Sequence, residues 1–397
     1  MGQKASGILE RKLVETGFEN IRVSEEGQSF FVSFENNIYR WNVRAIATAL
    51  DTLAANTDPG SKIHLVQLRY DIPQIVTSVG AGDWLQFRSD TSVTANMDTS
   101  LQISYDTRKS WNKVKKNRPL TPNDFRFDLV FYPQLFIANL TFEKIYEVQF
   151  NIAPALEVSL WKGMLLTAQV ILPIYSDCKV YGEASKKVRP GFLVISQDFR
   201  LPGPLFGKVS VGNFNYERYG LDLNLNYPFS NPRWYLGLNA GLTGYSVFTA
   251  DEGWDLGPME RFTLHVSGGY FLPRYNLRFE LSGGRYIRGD YGGRFDLSRM
   301  FGETTIGLYA SFTTLTDFES GQPNAGFHVA IPFPPGKRLK RRRFRVDLPG
   351  YFDWEYNGAT EFYYGRYYEV RPNENRTEHY FNPLYIKNEL LKNRHYR

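Results

Sequence analysis

The sequence predicts a mainly β protein, an antiparallel transmembrane β-barrel of about 14 to 16 strands preceded by a small α/β domain of order α-β-β-α-β. Three observations predict it. From Thr77 to about Pro334 apolar and polar residues alternate with period two, the pattern of half-buried antiparallel strands. The alternating segments run about 10 to 13 residues, which suits a tilted bilayer crossing better than the 5 to 6 residues usual in soluble strands. Aromatic side chains gather at the segment ends, as in Tyr227 with Phe229, Trp234 with Tyr235, Tyr270 with Phe271, and Tyr286 with Tyr291, where interfacial girdles sit. A soluble sandwich or propeller also alternates, with its polar face toward water. The Gly-, Asn-, Ser- and Thr-rich polar face fits a wet interior, and the reading adopted is the barrel.

Composition excludes other classes. Of 397 residues 42% are hydrophobic and 16% aromatic, too many for a disordered chain. The 34 glycines have no three-residue period, which excludes a collagen-like chain. A lone Cys178 excludes an internal disulfide framework. No apolar run approaches the roughly 18 residues of a membrane-spanning helix. The mean hydropathy of −0.38 is that of a polar chain, as it is for a barrel whose lipid-facing and lumen-facing residues average out. The 47 Lys and Arg against 41 Asp and Glu leave a net charge of +6. That surplus concentrates in Lys337–Arg343, read as solvated charge at a membrane rim, able to meet acidic lipid or polysaccharide, rather than as a nucleic-acid site. Met1–Ser6 offers no signal-peptide core, so the expectation for a barrel is a signal peptide outside this sequence. Gly2 and Ser6 also satisfy the loose myristoylation pattern, with nothing else in its support.

Residues 1–75 read as a separate α/β domain. Ile8, Leu9, Leu13 and Val14 recur at helical spacing, and Gly17 follows as a left-handed stop. Phe18–Val23 and Ser29–Phe34 read as a hairpin around Glu25–Gln28. Asn42 is expected to cap a second helix carrying Ile46, Ala49, Leu50 and Leu53. Asp58-Pro59-Gly60 breaks that helix, Lys62–Leu68 is a third strand, and Asp71-Ile72-Pro73 reads as the exit. No catalytic constellation is present, so the expected role is docking.

Residues 76–334 form the predicted barrel. Strands are expected to begin near residues 77, 92, 125, 145, 163, 191, 205, 218, 232, 260, 274, 290, 302 and 323. Leu221, Leu223 and Leu225 face one way while Asp222, Asn224 and Asn226 face the other, and Tyr275, Leu277, Phe279 and Leu281 oppose Asn276, Arg278 and Glu280. Short turns such as Asn215–Glu217 alternate with longer stretches such as Asp106–Asp124, the outer-membrane pattern. Residues 335–397 read as a basic linker, a further strand candidate at Thr360–Tyr368, and an aromatic and Asn-rich tail.

Motifs of chemistry are scarce. Arg288-Gly289-Asp290 is a common tripeptide in a turn, and Asn139-Leu140-Thr141 and Asn375-Arg376-Thr377 match the glycosylation pattern incidentally. His64, His265, His328, His379 and His395 lack metal-ligand spacing. No nucleophile, base, metal site or cofactor site emerges, so the expectation is a non-enzymatic protein. The candidate lumen-lining residues are Arg126, Asp128, Asp222, Asn224, Asn226, Asn239, Arg278 and Glu280. Arg285, Arg288, Asp290 and Arg294 form a candidate polar cluster at a barrel mouth.

The run Gly283-Gly284-Arg285-Tyr286-Ile287-Arg288-Gly289-Asp290-Tyr291-Gly292-Gly293-Arg294-Phe295-Asp296-Leu297-Ser298-Arg299 resembles a segment of YjbH-like exopolysaccharide biogenesis proteins of Gram-negative outer membranes. A strand at Thr304–Thr314 and a glycine-led one ending at Phe333 follow it, as in that family. Leu13–Ile21 is similar to part of the family's small periplasmic module. The family's members tend to carry a longer or doubled barrel, and the tail after Pro349 departs from their usual close. The resemblance implies a Gram-negative outer-membrane barrel with its first domain in the periplasm. It also implies a role in exporting or assembling an extracellular polysaccharide, as a conduit or a partner of the export machinery through residues 1–75. Outer-membrane lipid and polysaccharide are then the expected partners, and nucleic acid is not. A general porin and a structural barrel subunit of another secretion complex remain the alternatives.

Overall fold

The computed structural model describes residues 2–89, 94–138, 147–177, 186–249, 253–314, 322–331, 336–341, 343–346, 352–357, 365–372 and 380–393. Cys178 and both glycosylation-type triplets lie wholly or partly outside them. The chain is mainly β, with a large sheet and a small N-terminal α/β domain.

The first domain follows the expected order through α1 (Gly2–Glu15), β1 (Glu19–Glu26), β2 (Ser29–Glu35), α2 (Asn42–Ala54) and β3 (Lys62–Arg69). Gly17 takes a φ of +96° just past α1, and Gly27 closes the β1–β2 hairpin at +58°, both conformations that favour glycine. Asn42 does not cap α2. The N-cap is Trp41 without a side-chain hydrogen bond, and Asn42 Nδ2 instead donates to the Tyr380 carbonyl at 3.2 Å.

Asp71-Ile72-Pro73 is not an exit. Tyr70 and Asp71, with φ of +50° and +61°, turn the chain back into β4 (Ile72–Gly80), antiparallel to β3. Such a turn usually declares itself by Asn-Gly or Asp-Gly. Here the Glu35 carboxylate accepts the Tyr70 amide at 2.7 Å and the Asp71 amide at 3.3 Å, holding two non-glycine residues in left-handed conformation. The strand expected near 77 therefore belongs to the first sheet. The one expected near 92 falls on residues 90–93, outside the described set, and α4 (Thr94–Ser100) follows. With α3 (Ala81–Ser89), β5 (Gln102–Ser104) and α5 (Arg108–Val114), the five-stranded sheet runs in order β1-β2-β3-β4-β5. Asp106–Asp124 thus carries α5 rather than a barrel loop.

The large sheet begins with β6 (Arg126–Ala138), β7 (Glu147–Ser159), β8 (Met164–Ser176), β9 (Arg189–Arg200), β10 (Phe206–Phe214), β11 (Arg218–Pro228) and β12 (Trp234–Thr249). It continues with a short β13 (Gly253–Leu256) folded back on β12, then β14 (Arg261–Leu272), β15 (Leu277–Arg285), β16 (Tyr291–Phe301), β17 (Thr304–Thr313) and β18 (Gln322–Ile331). Twelve of the strand starts expected from sequence lie within three residues of these. Neighbours pair antiparallel in chain order. Beyond β18 the chain adds β19 (Leu339–Arg341) and β20 (Phe344–Val346), a hairpin in which β20 lies parallel to β6, and β21 (Phe352–Asn357), which pairs with β18. The added strand is therefore β21. Of the expected Thr360–Tyr368 strand, residues 358–364 lie outside the described set and Gly365–Tyr368 is not strand. The described pairings run from β19 to β21, and none among the described residues joins those two ends.

Burial is inverted relative to a water-soluble sheet. In β11 Asp222 is 2% exposed and Asn226 6%, while Leu221 is 48% exposed; on β15 and β17 Leu281 and Leu308 reach 67% and 60%. The buried face is polar, with Gln149, Asn151, Thr167, Ser196, Ser210, Thr263 and Ser298. Arg218 of β11 reaches the Ile287 carbonyl after β15 at 2.8 Å. Glycine permits the close approach of strands at Gly212 and Gly220, whose φ values of +144° and +152° and neighbouring backbone leave no room for a Cβ.

The first domain sits on the end of the sheet that carries the tight turns. The Gly163 amide donates to the Tyr70 carbonyl at 2.8 Å, and Arg200 Nη1 donates to the Pro73 carbonyl at 2.7 Å and to Thr107 Oγ1 at 2.9 Å. A final helix, α6 (Pro383–Lys392), capped by the Asn382 side chain, lays Phe381, Tyr385, Ile386 and Leu390 into the core of that domain beside Leu50, Phe87 and Leu101.

Candidate functional site

The alternation that buries the polar face also builds a site on it. In β11, Asp222, Asn224 and Asn226 point to one face because successive strand residues alternate. Across the strand pair Asn224 stands opposite Asn239 of β12, and Asn239 opposite His265 of β14. These side chains line a cavity of about 340 Å³. Its other walls are Asp198 and Lys208 on β9 and β10, Gln74 of the first domain, and the segment Tyr367–Val370.

That segment is part of a strap, Gly365–Pro372, crossing the polar face from one end to the other. At the far end the Gly365 amide donates to Asp290 Oδ2 at 2.7 Å, and the Ile287 amide to the Arg366 carbonyl at 3.3 Å. In the middle Tyr368 Oη donates to Asp222 Oδ2 at 2.9 Å, which also accepts from Asn239 Nδ2 at 3.0 Å. Tyr368 stacks on Phe214, centroids 5.0 Å apart at 8°, and Tyr367 stacks on Tyr368 at 5.0 Å and 20°. Near the first domain Arg371, 2% exposed, pairs with Asp198 at 2.6 Å. A buried, directional pair of this kind fixes the strap's position more than it adds net stability.

The expected lining residues divide. Asp222, Asn224, Asn226 and Asn239 come together on the cavity wall. Arg126 and Asp128 instead meet at the seam with the first domain, 2.7 Å apart, with Arg126 also on Glu19 and Arg345 at 3.6 Å from Asp128. Glu280 accepts the Tyr235 hydroxyl away from the cavity, and Arg278 lies beside it on β15. The expected mouth cluster also divides. Arg285, Arg288 and Asp290 are at the β15–β16 turn, where Asp290 is buried and fastens the strap. Burial raises the Asp290 pKa, opposed by the amide of Gly365 and other backbone donors. Arg294 lies within β16, paired with Asp296 at 2.9 Å and 4.0 Å above the Tyr309 ring, because the strand continues past the turn.

The basic run is not wholly solvated charge. Lys337 is exposed, but Lys340 is 9% exposed and pairs with Glu19 beside Arg126. Sequence reasoning missed this seam and the strap. Both join residues 75 or more positions apart, and the local signal was the Tyr367-Tyr368 pair before Arg371-Pro372. Among the described residues no group of three or more His, Cys, Asp or Glu is placed to hold a metal ion.

Burial opposes ionisation of Glu19, but Lys340 and Arg126 outweigh it and hold the carboxyl below its ordinary range. A depressed carboxylate contributes stability that is present above the unfolded-state pKa and is lost as pH falls through the folded one. Hydrogen exchange at residues 337–341 is therefore expected to accelerate below about pH 4, and Glu19→Gln to remove that dependence. An unchanged acid limb in Glu19→Gln would assign the effect to another group.

A family model described as "YjbH: Exopolysaccharide biosynthesis protein YbjH" matches residues 3–337, so the strap and α6 lie beyond the match. No curated protein matches the chain. Among solved structures it is similar to OmpT (in-vitro folded), an outer membrane protein of Vibrio cholerae, at 7% identity, covering 51% of this chain and 80% of that one. The TM-score is 0.28, a likeness too low to carry an argument.

Proposed function

The chain belongs to the YjbH family of exopolysaccharide biosynthesis proteins, and from that premise we propose an outer-membrane β-barrel that takes part in exporting or assembling an extracellular polysaccharide. Its role is that of a conduit or a partner of the export machinery, and not of an enzyme. The observation that carries the reading is the inverted sheet, with apolar side chains outward and Asp, Asn, Ser and Thr inward. A surface facing lipid makes that arrangement favourable, since apolar area in water carries a cost of about 25 cal/mol per Å². In outer-membrane barrels the tight turns face the periplasm. The first domain, seated on that end here, is then periplasmic and available to export partners.

A polar interior whose charges are met by partners, as Arg371 meets Asp198 and Arg294 meets Asp296, suits a translocating glycan, which must bind loosely enough to leave. The strap across the interior favours a gated or structural element over an open general porin. A structural barrel subunit of another assembly complex is the second reading. Deletion of the gene is expected to reduce surface polysaccharide, and fractionation to find the protein in the outer membrane. Unchanged polysaccharide with outer-membrane localisation would overturn the export role and leave the fold intact. A protein soluble without detergent would overturn both.

A further inference from the structure

The cavity on the polar face has the chemistry of a ligand site that the strap only partly fills. Its volume of about 340 Å³ falls in the range of small-ligand pockets. Asn226 is 6% exposed, and its Oδ1 accepts from no group among the described residues. The Oδ1 of Asn239 is in the same state, and its Nδ2 is committed to Asp222, which leaves the oxygen as the unused end. Buried acceptors left unmet are destabilising unless something donates to them. Opposite these acceptors stand the stacked rings of Tyr367 and Tyr368.

Unmet acceptors on a cavity wall match a sugar ring, which presents hydroxyl donors at its edge, whereas both faces of Tyr368 are already covered, by Phe214 and Tyr367. The charge on the walls narrows the class further. Asp198, Asp222 and Glu369 line the cavity together with Arg69 and Lys208, and Asp198 is already engaged by Arg371. The charges nearly balance, so the walls hold no surplus of cations to fix a uronate or a phosphorylated sugar. We infer that the cavity between β11, β12 and the strap is a saccharide subsite for neutral sugar residues. The inference rests on the polysaccharide reading above and deepens it by naming the class of sugar.

The full chain in detergent micelles tests this by saturation-transfer NMR with maltotriose, cellotriose and trigalacturonate as probes. Transfer to at least one neutral trisaccharide is expected, with weaker or no transfer to trigalacturonate. Asn226→Leu and Asn239→Leu are expected to weaken neutral binding at least tenfold. If either leucine variant loses its folded, heat-modifiable form, Asn226→Ser, smaller than the native residue, carries the same expectation. No transfer from the native protein, equal transfer in the folded variants, or stronger binding of trigalacturonate would overturn the subsite. Surface polysaccharide in the deletion strain is a separate readout. Lost polysaccharide with no trisaccharide binding would remove the subsite alone, whereas failure of the export role would leave polysaccharide unchanged.

Discussion

Leu308→Arg is expected to destabilise the protein folded into phospholipid vesicles by about 2–4 kcal/mol, the cost of a cation near the bilayer midplane on a lipid-facing strand position. Leu308 stands at the middle of β17 and is 60% exposed on the apolar face. On a water-facing surface the same substitution changes stability by about 0.5 kcal/mol or less. The two readings of the inverted sheet therefore separate by a margin that chemical unfolding in vesicles resolves. A loss below that smaller value would place the apolar face in water or against protein and remove the barrel as an explanation. The substitution creates no cavity and breaks no ion pair, so its effect reports the surroundings of that face.

Arg371→Ala is expected to release the strap. Its guanidinium is 2% exposed and pairs with Asp198 at 2.6 Å. Asp198 is 18% exposed, so losing its cation is expected to cost less than the about 3–5 kcal/mol of a fully buried pair. The strap's other polar fastenings include Tyr368 to Asp222, Gly365 to Asp290, and the Glu369 amide to Asn215 Oδ1 at 2.6 Å. The expected consequences are faster proteolysis within residues 365–372 and a larger single-channel conductance in planar bilayers. Arg371→Lys, which keeps the charge but loses the planar fork, should fall between. Unaltered proteolysis and conductance in Arg371→Ala would mean that the strap is held elsewhere and does not obstruct the interior.

Strand positions in the large sheet were legible because a period of two is local and survives in a single sequence. Leu221 to Asn226 alone divide correctly between the two faces, and the cavity wall of Asp222, Asn224 and Asn226 follows from that division. The strand near 77 belongs to the first sheet rather than the large one because the turn at Tyr70-Asp71, which has no glycine or asparagine, returns it to β3. Glu35, thirty-five positions earlier than Tyr70, supplies the stabilisation that turn chemistry would otherwise declare. Arg126 and Asp128 alternate as lining residues should, yet Glu19 and Arg345 draw them to the seam. Alternation specifies a face, not the height along it or the partner found there. The first half of the strap, Gly365–Tyr368, falls in the segment expected to be strand, as tyrosines favour strands, and nothing local records that Asp222 awaits Tyr368.

The placement of α6 has a consequence for the order of folding. The core of the first domain includes Phe381, Tyr385, Ile386 and Leu390, some three hundred residues further along the chain. The domain synthesised first is therefore completed last, and until then one side of its core stays open. During passage to the membrane that gap is an exposed apolar surface of the kind chaperones recognise. Closure by α6 therefore requires the C-terminal segment to return to the end of the sheet where the first domain sits.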